Sequence, residues 1–136
     1  MFTLHPRLKA DTIFIQKLTV SNLYLLNDSR YPWVVLVPER ENLSELHDLV
    51  PLDYTAVMEE VRQLSHVLSA CFTPQKINVG ALGNLVPQLH IHIIARETDD
   101  QAWPAPVWGV GDAVPYTQKL RDQRVTQIQE TLLKIF

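Results

Sequence analysis

The feature that most constrains the fold is the alternating run Gln-Leu-His-Ile-His-Ile-Ile at residues 88–94. Successive side chains of a β-strand point to opposite faces, so Leu89, Ile91 and Ile93 share one face. The glutamine and the two histidines then share the other face, with neighbours about 7 Å apart at a rise of roughly 3.3 Å per residue. The run therefore predicts a strand whose apolar face meets a core and whose polar face displays a row of functional groups.

Other runs rich in β-branched, aromatic and aliphatic residues predict the remaining strands of this sheet. The five predicted strands cover residues 12–15, 20–26, 33–37, 76–81 and 89–95. A turn is predicted between the second and third strands, because residues 27–32 read Asn-Asp-Ser-Arg-Tyr-Pro. Short turns between most strands indicate mainly antiparallel pairing.

A change of period predicts a long helix over residues 51–72, where apolar residues recur on one helical face: Val57, Val61, Leu64 and Leu68. Pro51 suits the first helical turn, and the Thr73-Pro74 pair ends the helix. A second amphipathic pattern predicts a helix from residue 116 to the end. The expected fold class is α+β, with a mostly antiparallel five-stranded sheet packed with one long central helix and a C-terminal helix.

Length and composition narrow the class of protein. The 136 residues predict one domain, 1–136, in which 97–136 form an irregular Trp/Pro segment and the C-terminal helix. Trp103 and Trp108 are expected to pack that segment. The net charge of −3 gives no support for nucleic-acid binding, and no apolar run is long enough for a membrane helix. A single cysteine, Cys71, allows no intrachain disulfide, so a cytoplasmic protein is expected.

The histidine pair taken alone leaves several interpretations open. His90 and His92 could be surface residues, metal ligands or parts of a rigid catalytic site. A metal site normally needs a third protein ligand, and the candidates His5, His47 and Asp48 are distant in sequence. Asp48 is expected to cap a turn or helix start. No metal or other cofactor is predicted.

Residues 76–96 resemble the histidine triad (HIT) superfamily of nucleotidyl hydrolases and transferases. The family pattern is His-x-His-x-His followed by two apolar residues, after a strand that ends in Asn and a loop that contains Gly. The strand at 33–37 with its following proline, and the Trp-Pro pair at 103–104, are similar to the family as well. The resemblance covers residues 20–109.

The resemblance implies a role for each triad position. If residues 93 and 94 are the two apolar residues, His92 is the third member, His90 is the central one, and Gln88 replaces the first. The central histidine is the family's nucleophile, which implies that His90 attacks an α-phosphorus and forms a nucleotidyl-histidine. His92 would orient the site or stabilise charge. Glutamine donates hydrogen bonds but is no general acid, so we expect leaving groups that need little protonation.

The resemblance also implies substrate-binding residues. The loop around Gly83, Asn84 and Leu85 would cradle phosphate with its backbone N–H groups. Asn78 matches the asparagine at the end of the preceding strand and would contact phosphate. Asn27 falls near the family's ribose-contacting Asn or Asp, and Asp28 is a rival for that position. Asparagine also caps turns, and that structural role stays open for Asn27 and Asn78.

The function that the resemblance implies is a nucleotide hydrolase or nucleotidyl transferase, acting on a nucleoside phosphoanhydride or phosphoramidate. Its partner would be a small-molecule nucleotide, and the chain would form a homodimer whose two sheets join. Two alternatives stay open. One is a metal-dependent enzyme with His90 and His92 as ligands, and the other is a module that binds a nucleotide without catalysis.

Overall fold

The computed structural model describes residues 1–136. Its strands are β1 (Thr12–Lys17), β2 (Ser21–Leu26), β3 (Trp33–Pro38), β4 (Lys76–Gly80) and β5 (Ile91–Arg96). Its helices are α1 (Pro6–Asp11), α2 (Pro51–Phe72) and α3 (Gln118–Ile135), with a 3₁₀ turn at Leu46–Asp48. The strands form one sheet in the order β1-β2-β3-β5-β4, and every neighbouring pair is antiparallel. The predicted fold class is confirmed.

The main difference from the predicted elements concerns the histidine strand. β5 begins at Ile91, whereas the sequence predicted a start at Leu89. The backbone N–H of Leu89 donates instead to the carbonyl of Leu43 at 2.9 Å, so the chain has left the sheet at that point. Gln88 and His90 therefore lie in an irregular segment just before the strand, and strict alternation of faces applies only from Ile91 onward.

Helix α1 was not predicted from the sequence. Pro6 occupies its first turn, where the missing N–H of proline costs nothing. The Nδ1 atom of His5 accepts a hydrogen bond from the N–H of Arg7 at 3.1 Å and caps the helix. With only six residues and a single buried one, Leu8, this helix has almost no apolar period for a pattern search to find.

The first face of the sheet packs against α2 and α3. Alternate residues of the central strands meet apolar side chains of both helices there, and Val34, Ile93 and Ile128 are fully buried. The Glu60 carboxylate, buried on α2, accepts hydrogen bonds from the backbone N–H groups of Val20 and Ser21. This contact ties the turn between β1 and β2 to the helix.

The second face of the sheet carries His92 and is covered by α1 and by the irregular residues 97–117. Apolar residues from the sheet and from its cover form a second buried cluster, which includes Trp33, Ile94 and Val107. Arg96, only 2% exposed, organises the cover. Its guanidinium donates to the Asp100 carboxylate at 2.8 and 3.0 Å and to the Ala105 carbonyl at 2.8 Å.

No helix of this chain combines the length and the apolar character that crossing a lipid bilayer requires.

Candidate active site

The His90 ring is held by the backbone just before it. Its Nδ1 atom lies 2.7 Å from the carbonyl oxygen of Gln88. A carbonyl only accepts hydrogen bonds, so in the neutral ring Nδ1 carries the hydrogen and Nε2 keeps its lone pair. The side chain is 7% exposed, so little solvent competes for these positions. His90 is therefore oriented with its nucleophilic nitrogen at Nε2.

The His92 ring is held in the opposite tautomer. The indole Nε1–H of Trp33 donates to its Nδ1 atom at 2.9 Å. Because indole only donates, Nδ1 must be the unprotonated nitrogen, and the neutral ring carries its hydrogen at Nε2. Burial lowers the pKa of His92 to about 3, and the neighbouring His90 acts in the same direction. His92 is thus an uncharged hydrogen-bond donor near neutral pH.

Aromatic rings surround the two histidines. The ring centroids of His90 and His92 lie 4.8 Å apart, and Trp108 meets His92 edge-on at 5.3 Å. Gly80 is opposite His92 in the register of β4 and β5, and a Cβ atom at Gly80 would lie 3.1 Å from Cη2 of Trp108. A glycine at this position therefore gives the indole room to reach the histidine. Trp108 packs the irregular segment, as expected, but it also forms a wall of the site.

A cavity of about 270 Å³ opens beside His90. Its walls are the irregular segment with Gln88 and His90, the loop that contains Gly83, and the 3₁₀ turn that carries His47. Gly83 has a φ of +74°, in the left-handed region that favours glycine. The capping box of the 3₁₀ turn, between Glu45 and Asp48, holds the opposite wall. This volume lies just below the usual range of about 300 to 1,000 Å³ for ligand sites.

Gln88 is one of the residues that line this cavity, and its side-chain amide binds residues near the N-terminus. Its Oε1 atom accepts from the backbone N–H of His5 at 2.8 Å, and its Nε2 atom donates to the carbonyl of Thr3 at 2.8 Å. Gln88 is thus joined to residues near the N-terminus. Nothing in the spacing of the sequence indicated this contact.

The two predicted asparagine contacts have structural partners. Oδ1 of Asn78 accepts a hydrogen bond from Nη1 of Arg96 at 2.8 Å. The amide N–H groups of Asn78 take no part in that bond. Asn78 and Gly80 share a face of β4, two residues apart, so Asn78 lies on the histidine side of the sheet. Oδ1 of Asn27 accepts from the backbone N–H of Tyr116 at 2.9 Å, and Asn27 does not line the cavity.

The predicted phosphate loop is only partly at the cavity. Gly83 lines it, whereas Asn84 and Leu85 do not, and the Leu85 side chain is 78% exposed. No group of three or more His, Cys, Asp or Glu side chains is arranged to hold a metal ion. His90 and His92 therefore have no third ligand of these types in place.

Sequence reasoning missed three parts of the site: the Trp33 hydrogen-bond donor, the His47 wall and the N-terminal residues bound by Gln88. Trp33 lies in a strand that reads as uniformly apolar, so nothing marked its indole N–H as a partner for His92. His47 is 85% exposed in its side chain and stands beside a capping aspartate, which is the pattern of a surface turn. Each contact depends on elements that meet only in the folded chain.

The fold and the site together define an α+β protein with a histidine-centred site at the start of β5, an inner strand of its antiparallel sheet. Comparison with known families identifies the family of this protein: the model of the HIT domain matches residues 7–99. This match spans well over half of the chain, and the chain belongs to the HIT domain family.

Solved structures and a curated relative agree with this assignment. A histidine triad protein of Marinobacter aquaeolei VT8 superposes with a TM-score of 0.96 at 39% identity, covering 100% of this chain and 99% of that one. A histidine triad protein of Sinorhizobium meliloti 1021 gives 0.94 at 42% identity, covering 96% of each chain. The asymmetrical bis(5′-nucleosyl)-tetraphosphatase of Schizosaccharomyces pombe is 32% identical over 72 residues, 49% of this chain. That stretch spans only 39% of the relative's length.

The low pKa of His92 predicts how stability changes with pH. In the unfolded chain the ring takes up a proton near pH 6.5, whereas the folded ring resists protonation down to about pH 3. The contribution of His92 is therefore fully present above pH 6.5 and is lost as the pH falls toward 3, with a slope of at most about 1.4 kcal/mol per pH unit. Urea unfolding of the native chain and of His92→Asn across this range measures the difference in slope.

Ring ¹⁵N shifts of His92 provide an independent check, since they should show a neutral Nε2–H tautomer at pH 5. The exposed His66, changed to Gln, serves as the control and should leave the slope unchanged. A His92 ring that titrates near pH 6.5 would contradict the assignment of a buried, neutral donor.

Proposed function

We propose that this chain is a nucleotide hydrolase or nucleotidyl transferase, acting on a nucleoside phosphoanhydride or phosphoramidate through a nucleotidyl-His90 intermediate. The observation that carries the proposal is the bond from Nδ1 of His90 to the Gln88 carbonyl, which leaves the Nε2 lone pair available beside a cavity. Membership of the HIT domain family and the name of the Schizosaccharomyces pombe relative support the same class of reaction.

In the first proposed step, Nε2 of His90 attacks the α-phosphorus of the substrate. The new nitrogen–phosphorus bond forms as the bond from phosphorus to the leaving oxygen or nitrogen breaks, and the electron pair departs with the leaving group. The ring then carries a positive charge, which is shared with Nδ1–H. The Gln88 carbonyl lies 2.7 Å from Nδ1 and stabilises this charge as it develops.

In the second proposed step, water or another acceptor attacks the same phosphorus. The nitrogen–phosphorus bond breaks, its electrons return to Nε2, and His90 leaves as a neutral ring, while the acceptor's proton passes to solvent or phosphate. This chemistry needs no metal to activate the nucleophile, since neutral imidazole is nucleophilic near pH 7. Water as acceptor gives a hydrolase, and another hydroxyl or phosphate gives a transferase.

His92 and the Gly83 loop would stabilise the phosphoryl group during both steps. The neutral His92 ring carries its hydrogen on Nε2 and can donate to a phosphoryl oxygen without introducing a second positive charge beside His90. The backbone of the loop at Gly83, which lines the cavity, would bind a further oxygen, and the amide of Asn78 would add a side-chain donor. The fixed tautomer of His92 means that no rotation is needed before it donates.

Gln88 distinguishes this site from one with three histidines. Its amide cannot deliver a proton to a departing amine, so we propose that the preferred leaving groups are phosphate or a nucleotide. Such groups leave as stable anions and depend less on general acid catalysis. Gln88 would then set the preference of the enzyme among leaving groups.

We also propose that the chain forms a homodimer through the edge of its sheet at β4. This strand pairs only with β5, so its other side presents unpaired backbone N–H and C=O groups. Exposed apolar side chains accompany that edge, with Val79 and Leu82 at 50% and 44% exposure. An antiparallel meeting of two β4 strands would join both sheets and cover these residues.

The covalent intermediate gives the first test of the function. Incubation with diadenosine tetraphosphate labelled at its α-phosphorus, followed by alkaline denaturation, should leave label on the native chain and none on His90→Ala. Turnover should fall by about 10³-fold or more, because no other group forms the bond to phosphorus. His66 is exposed, and His66→Ala serves as the control. This variant should keep the label, the turnover and the circular dichroism spectrum of the native chain.

Turnover that survives in His90→Ala would contradict the assignment of the nucleophile. Tight nucleotide binding by the native chain with neither label nor turnover would support the binding module instead. Chelator treatment that removes activity, with restoration by zinc or iron, would support the metal-dependent alternative.

The leaving-group preference gives a second test. Gln88→His places a potential general acid at the first triad position, and general acids contribute typically about 10² to 10⁴ in rate. We expect the ratio of kcat/KM for adenosine phosphoramidate to kcat/KM for a dinucleotide to rise at least about tenfold. Gln88→Asn retains an amide without an acid, so its ratio should stay at the native value. An equal effect of Gln88→His on both substrates would contradict the proposal that Gln88 sets the leaving-group preference.

The oligomeric state gives a third test. Val79→Lys places a charge at the proposed β4 interface and should weaken self-association at least about tenfold. Val114→Lys makes the same change at another valine with 50% exposure, outside the sheet, and should leave association unchanged. Sedimentation velocity over a concentration series measures both. A monomeric native chain, or equal effects of the two variants, would overturn the proposed interface.

A further inference from the structure

Gln88 makes one hydrogen bond through its backbone and two through its side chain, and these bonds reach two different parts of the protein. Its backbone carbonyl meets Nδ1 of His90 at 2.7 Å. Its side-chain amide meets the N–H of His5 and the carbonyl of Thr3, both at 2.8 Å. One residue therefore joins the ring of the proposed nucleophile to the N-terminal segment, by which we mean residues 3–5.

The chemistry of the amide explains why this position suits glutamine. The carbonyl of Thr3 and the N–H of His5 flank Leu4, and binding both needs a donor and an acceptor on one planar group. Glutamine supplies both, whereas a carboxylate has no donor and an alanine has neither. Asparagine has the same amide on a side chain shorter by one methylene, so it reaches less far.

The N-terminal segment is itself held against the protein. His5 caps α1 through its Nδ1 atom, and Leu8 of that helix is buried. Phe2 and Leu4 pack against the second buried cluster, the same one that contains Trp33. The segment is thus a fixed support, against which the Gln88 side chain can be held.

Gln88 needs such a support because no sheet pairing fixes it. It lies three residues before β5, and the nearby backbone bond runs from the next residue, Leu89, to Leu43 at 2.9 Å. The Leu89 N–H belongs to the same planar peptide as the Gln88 carbonyl, so this bond holds one end of that peptide. The side-chain bonds of Gln88 supply the second attachment, which keeps the carbonyl directed at His90. A nucleophile that is misplaced by about 1 Å can cost on the order of 10²-fold in rate.

We propose that Gln88 is a positioning residue, which binds the N-terminal segment through its side chain and thereby keeps its carbonyl on Nδ1 of His90. The inference rests on the proposed role of His90 as nucleophile. It gives the first triad position a task that is separate from the leaving group, and it makes residues 3–5 part of the support of the active site.

The experiment removes one hydrogen bond without touching Gln88. His5 has a φ of −55°, which proline adopts readily, so His5→Pro deletes the N–H that donates to Oε1 and fits the local backbone. His5→Ala is the matched variant, because it loses the ring and the cap but keeps the N–H. We measure the single-turnover rate of nucleotidyl transfer to His90 and the substrate affinity with diadenosine tetraphosphate.

We expect His5→Pro to transfer the nucleotide about 10- to 100-fold more slowly than His5→Ala, with little difference in substrate affinity. Gln88→Ala should show a similar loss, and the double variant His5→Pro/Gln88→Ala should lose little more, because both changes break the same link. Ring ¹⁵N shifts of His90 should show a weaker preference for the Nδ1–H tautomer in these variants. Simple destabilisation would lower the melting temperature without changing that preference.

Equal transfer rates in His5→Pro and His5→Ala, or additive losses in the double variant, would overturn the role of Gln88. An unchanged His90 tautomer in Gln88→Ala would overturn it as well. Failure of the proposed function looks different, since the native chain would then form no labelled His90 at all.

Discussion

Two hydrogen bonds fix the tautomers of the two histidines in this site. In each bond the partner of the histidine can only accept or only donate a hydrogen. A carbonyl that only accepts holds Nδ1 of His90, and an indole that only donates holds Nδ1 of His92. In their neutral forms the two rings, 4.8 Å apart, are therefore held in opposite tautomers. One presents a lone pair and the other a hydrogen, which are the two functions that the proposed nucleotidyl transfer would use.

The rest of the fold supplies these two partners. The strand order places β5 between β3 and β4, so the Trp33 indole comes from one neighbour and the space above Gly80 from the other. Arg96 binds Asp100 and Ala105 and so shapes the irregular cover. That cover brings Trp108 onto His92 and removes water from the ring, which is why its pKa falls to about 3.

The site could be predicted only as far as local patterns reach. The pairing of His90 with His92 follows from two positions on one extended segment, and the structure brings their rings together. Asn27 could not be assigned in this way, because its partner is the N–H of Tyr116, 89 residues along the chain. A turn asparagine that binds substrate and one that holds a distant segment have the same local sequence.

The sequence by itself determined the class of fold, since periods of two and 3.6 residues are local properties that decide which side chains share a face. It also indicated the histidine pair, and its resemblance to the family led to the prediction that Gln88 replaces a general acid. Only the tertiary structure decided what holds these groups. Trp33 and His92 are 59 residues apart, and Gln88 and His5 are 83 apart. Spacing along the chain carries no information about such contacts, which exist only once separate elements are packed together.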